Sequence, residues 1–184
     1  AIYAWWNWTN TTNTNVTFNV EGVTITYSDG PDITDIKLIP VSSKEKGETD
    51  GTGIAKTITA SSDKTMYLTL NLDLVTFPSA LAHQSLVWEI YSGDTRLAHG
   101  NFANAQEGDV INLLDRQLIN STTSTFKLYI WIKGSIYNPP TMQDQDFRFI
   151  LNATATDTAA TITIERVDTL PCIATIKVTA EDST

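Results

Sequence analysis

Five aspartates fall in two short runs: Asp29, Asp32 and Asp35 recur every three residues around Gly30-Pro31, and Asp144 and Asp146 flank Gln145. Loop carboxylates so spaced can ligate Ca2+ through oxygen, as a hard cation requires. Neither run has the pattern of an EF-hand loop, so solvated turn residues compete with a Ca2+ site as the reading, and no other cofactor is implied. Zinc has less to hold it. The two histidines, His83 and His99, form no His-Glu-x-x-His pair, and Cys172 is the single cysteine, which excludes a multi-cysteine site and an internal disulfide. In Leu170-Pro171-Cys172-Ile173-Ala174 that thiol reads as a small buried hydrophobe. A Gly-x-Ser-x-Gly elbow, a glycine-rich phosphate loop and a Cys-x-x-Cys pair are all absent, and the chain is expected not to be an enzyme. Asn-x-Ser/Thr triplets stand at Asn7, Asn10, Asn15, Asn120 and Asn152. Where a glycosylation machinery exists, each marks an exposed position of a secreted chain.

The elements that must carry these residues are strands. The 184 residues are 41% hydrophobic but only 18% charged, and hydroxyls replace the missing charge, with 29 Thr and 12 Ser. Threonine is stiff at χ1 and suits a half-solvated pleated sheet. A formal charge of −9 makes nucleic acid a poor partner, and no apolar run is long enough to span a membrane. Apolar and polar residues alternate in Val16–Val20, Val23–Tyr27, Met66–Leu74, Leu86–Tyr91 and Phe126–Lys133, each the signature of a strand with one buried face. Shorter runs cover Asp35–Val41, Ile54–Ala60, Asp146–Asn152, Thr161–Val167 and Cys172–Ala180. Pro78–Gln84 and Leu113–Leu118 are expected to hold a helical turn each, and Lys44–Gly53 to be a mobile loop. The fold class that follows is all-β: two packed antiparallel layers, a jelly-roll-like sandwich.

The N-terminus departs from this pattern. Ala1-Ile2-Tyr3-Ala4-Trp5-Trp6-Asn7-Trp8 holds three of the five tryptophans. As a strand it puts Ile2, Ala4, Trp6 and Trp8 on one face and Tyr3 and Trp5 on the other. The polar stretch Thr9–Asn15 after it reads as a spacer. The chain divides accordingly into an arm and connector over 1–14 and a sandwich over 15–184. One reading docks the arm as the first strand of its own sandwich; the other sends it into the sheet of a neighbouring copy. The first residue is not Met, and Ala1-Ile2-Tyr3 reads as the start of a mature secreted chain. On the outward face of Phe126–Lys133, Tyr129 and Trp131 could stack on a sugar ring or cover a subunit neighbour.

Three stretches together resemble the TasA/camelysin family and its archaeal bundling-pilin relatives, secreted β-sandwich proteins of biofilm and surface fibres. They are Ala-Ile-Tyr-Ala-Trp-Trp at 1–6, Asn15-Val-Thr-Phe-Asn-Val-Glu-Gly-Val-Thr-Ile-Thr-Tyr27, and Thr125–Gly134 followed by Asn138-Pro139, Met142-Gln143 and Phe147–Ala153. The resemblance implies subunits joined head to tail by donor-strand exchange, with Ile2, Ala4, Trp5, Trp6 and Trp8 as the polymerising residues. Camelysin-like members carry a metallopeptidase label, but no zinc ligands are present to carry it over. Residues 156–184 depart from the family pattern by adding two strands. The expectation is an extracellular, non-enzymatic filament subunit whose partner is itself, with neighbouring filaments in bundles as a further partner. The alternative is a monomeric surface sandwich that binds carbohydrate through Trp131, Tyr129 or other exposed aromatics.

Overall fold

The computed structural model describes residues 4–6, 16–20, 23–31, 33, 36–156, 160–166 and 174–180, with side chains described over 24–156 except at 32, 34 and 35. Along the chain run β1 (Ala4–Trp6), β2 (Val16–Val20), β3 (Val23–Ser28), β4 (Ile36–Leu38), α1 (Lys44–Asp50), β5 (Ile54–Ser62) and β6 (Met66–Thr76). They continue with β7 (Leu86–Ser92), β8 (Thr95–Asn101), β9 (Val110–Ile119), β10 (Ser124–Ile132), β11 (Gln145–Thr156), β12 (Ala160–Arg166) and β13 (Ala174–Ala180). One sheet has six strands in the order β2-β3-β5-β10-β7-β8. The other has seven: β13-β12-β11-β1-β4, with β6 paired to β11 and β9 to β6. Every pairing between these strands is antiparallel except that of β1 with β11, which is parallel.

Period-2 alternation makes these layers pack. Met66, Leu68, Leu70, Leu72 and Leu74 of β6 are buried, as are Phe147, Phe149 and Leu151 of β11. They meet Ile54 and Ile58 of β5 and Phe126, Leu128, Ile130 and Ile132 of β10 in one core between the sheets. At one end Phe102 stacks on Phe149, with ring centroids 5.5 Å apart, and Phe149 lies 4.8 Å from Phe147. Offset ring contacts of this kind add to the area they bury. The result is an all-β two-sheet sandwich.

Two local expectations are corrected. Within the expected loop Lys44–Gly53, Lys44–Asp50 forms α1: Lys46 N donates to Ser43 Oγ at 3.3 Å, and Gly51 ends the helix in the left-handed region at φ 66. These are the standard N-cap and C-terminal glycine devices. Leu113–Leu118 is part of β9, not a helical turn. Between its pairs with Leu68 and Leu70, β9 carries an extra residue, with Arg116 at φ 48, and a second irregularity follows at Leu70/Asn71. Bulges bring Leu113 and Leu114 both into the core, which breaks the alternation and mimics a helical spacing. Pro78–Gln84 does contain a single 3-10 turn, Ser79–Leu81.

Candidate functional site

The arm segment Ala4–Trp6 lies between β4 and β11 of its own chain. Ala4 pairs with Leu38 on one side and Gln145 on the other; Trp5 pairs with Lys37 and Asp146, and Trp6 with Ile36 and Phe147. Paired residues on neighbouring strands share a face. Trp6 therefore stands in a row with Phe147, which is buried, and Ile36, which packs against the core. Ala4 stands in a row with fully buried Leu38. Along the strand Trp5 falls in the opposite row. Ile2 and Trp8 lie outside the described residues.

β4 depends on this insertion. Among the described residues its only ladder partner is β1, the next attachments being the Ile39 N–H to Thr52 O bond at 3.2 Å and the parallel bridge of Val41 to Lys133. Without β1, the backbone groups of Ile36–Leu38 and Gln145–Phe147 would lose ladder partners. Unpaired buried backbone is costly. Ala4–Trp6 thus fills the gap between β4 and β11.

The outer face of the six-stranded sheet differs from its expected exposure. Trp131 is 4% exposed and Tyr129 9%; with Val41 and Val87 they form a second apolar cluster, on which Ala55 and Tyr91 pack. Neither ring is free to stack on a sugar. The cover comes from the α1 region. A Cβ on Gly53 would lie 3.3 Å from Trp131 Cβ, and one on Gly47 3.3 Å from Gly53 Cα, so two glycines permit the close approach. Lys127 Nζ donates to Glu48 Oε1 at 2.5 Å and fastens α1 to β10. That bond raises the Lys127 pKa. Lys44 pairs with Glu45 and stands 4.7 Å from the Tyr91 ring centroid; the pairing raises the lysine and holds the Glu45 carboxyl down to about 2. Tyr91 is raised chiefly by burial and then by its bond to Glu89, to which it donates at 2.5 Å. Among the described aromatics Tyr137 is the most open, at 75% exposure.

The described aspartates of these two runs, Asp29, Asp144 and Asp146, form no cluster. Asp29 is buried 3.9 Å from Lys56 Nζ, while Asp144 (φ 54) and Asp146 are exposed at the start of β11. Asp32 and Asp35 lie outside the described residues, among which no three metal-ligating side chains cluster. Asn120 is an exposed turn residue whose Oδ1 accepts from Thr122 N at 2.8 Å. Asn152 is half-buried in mid-strand and donates from Nδ2 to Asp73 Oδ2, so of these two sequons only Asn120 has the open setting a glycan needs. Asn7, Asn10, Asn15 and Cys172 are outside the described residues. His83 Nδ1 accepts from Ser85 N at 3.1 Å beside a buried turn, and His99 is exposed on β8. The buried Lys56 escaped attention in the sequence, although Ile54-Ala55-Lys56-Thr57-Ile58 already put it in an apolar row. No helix among the described residues is long and apolar enough to cross a membrane. No known family matches the chain, and no curated protein or solved structure is similar to it.

Proposed function

We propose that the protein is a structural subunit of an extracellular filament, a jelly-roll-like sandwich that polymerises when the N-terminal strand of one copy enters the slot of the next. The observation that carries this reading is the insertion of three-residue β1 between β4 and β11, where it is β4's only ladder partner among the described residues. A strand from the same chain and one from a second copy would make the same pairings in this slot. The choice between them then rests on the connector and on concentration rather than on new contacts. A strand given forward and a slot filled from behind are different surfaces, and such a heterologous contact that does not close on itself yields an open filament. An apolar, tryptophan-rich arm ahead of a polar connector suits that exchange.

The test uses the register. In a Cys172→Ala background, Trp5→Cys and Lys37→Cys place two thiols on paired residues of β1 and β4. Oxidised assemblies should run on a denaturing gel as a ladder of covalent multimers, and negative-stain images of the parent protein should show filaments. A single covalently closed monomer band, with particles of one-subunit size, would overturn the reading in favour of an arm docked within its own chain.

A further inference from the structure

Lysine is rarely fully buried, and Lys56 stands on the core-facing side of β5 between Ile54 and Ile58 and is 2% exposed. Its Nζ donates to the Pro31 carbonyl at 3.3 Å and lies 3.9 Å from Oδ1 of Asp29, itself 1% exposed. That separation is outside hydrogen-bonding range. The scaffold, however, fixes the two groups side by side. β3 and β5 are neighbours in one sheet, with Ser28 paired to Thr59, and Asp29 follows β3 directly.

Transfer of one proton from the ammonium to the carboxylate removes both charges, which a low-dielectric interior favours. It leaves a nucleophilic amine beside a neutral carboxyl group. Two groups held in this way react as if at very high concentration. We propose that Lys56 and Asp29 condense into an intramolecular amide. Nζ attacks Cγ to give a tetrahedral adduct, a proton passes from nitrogen to a hydroxyl oxygen, the C–O bond breaks, and one water leaves. No oxidant, reductant or cofactor is consumed. The bond ties the chain beyond β3 to the middle of β5, on the segment that leads to β4.

Mass spectrometry of the folded full-length chain decides the matter. Its mass should be lower than the sequence mass by one water, and digestion should yield a branched peptide joining the segments that hold Asp29 and Lys56. Chain made and kept in denaturant should carry the full mass and lose the water only after refolding. Lys56→Arg, which retains the charge but presents a guanidinium instead of an amine, should keep the full mass, as should Lys56→Met. Folded wild-type protein at the full sequence mass, or a water loss that maps to other residues, would overturn the proposal and leave an ion pair in its place.

Discussion

β10 and β1 are both apolar strands inside a sheet, and they are held in opposite ways. β10 pairs with β5 over Ser124–Ile130 and with β7 over Lys127–Ile132. Its inner face lies in the main core and its outer face under the α1 region. It cannot leave without dismantling the six-stranded sheet. β1 is three residues long, lies between β4 and β11, and is separated from the sandwich by the connector. Its place is defined by the slot rather than by chain neighbours. A strand of the first kind specifies the fold; one of the second kind is, in the proposed filament, the strand that a neighbouring copy would supply.

That contrast can be broken most directly at Trp6. Trp6→Asp puts a carboxylate in the row of Phe147 and should weaken strand insertion by about 3 kcal/mol or more, roughly a hundredfold in assembly. Sedimentation of polymer at several protein concentrations measures it, and the melting temperature of the isolated subunit should move far less. A variant that polymerises like the parent would remove β1 from the joint. The second test acts on the other strand. Leu128→Ala, at a fully buried position of β10, should cost about 2–5 kcal/mol of stability in denaturant titration. The molecules that remain folded should exchange strands as the parent does, and a selective loss of polymer at unchanged stability would erase the distinction.

The smallest effect lies on the outer face of the seven-stranded sheet, at Asp73. Desolvation pushes this carboxyl up, and the amide of Asn152 only partly offsets it. A raised folded-state pKa means that the folded form binds the proton more tightly. Asp73 therefore favours folding below the ordinary carboxylate range, and that contribution is lost as pH rises through its folded value. Asp73→Asn should melt slightly above the parent at neutral pH, with the advantage shrinking as the pH falls through the raised folded value and gone below about 4. An advantage independent of pH would mean that the carboxylate pays no desolvation cost.

Much of the fold was legible from the chain because alternation is local. The rows of β6, β10 and β11 follow from every second residue being apolar. Where a strand breaks the period, the sequence misleads. Two irregularities in β9 bring Leu113 and Leu114 into one core and imitate a helix, and β8, Thr-Arg-Leu-Ala-His-Gly-Asn, has no alternation to detect. Lys44–Asp50 has no apolar stripe, and only Gly47 of it is buried, so its helix rests on the Ser43 cap and on contacts with β10 that no local pattern records.

The sequence by itself determined that this chain is built of strands and which face of most of them is apolar, because side-chain direction repeats every two residues whatever the neighbours. Only the tertiary structure decided what covers each face. It laid the α1 region over Tyr129 and Trp131, which removes them as sugar-stacking rings, and it brought Asp29 to Lys56. It also put Ala4–Trp6 between β4 and β11. Each of these is a meeting of segments distant in the chain, and hydrophobic burial rewards such meetings without encoding in either segment which partner it will find.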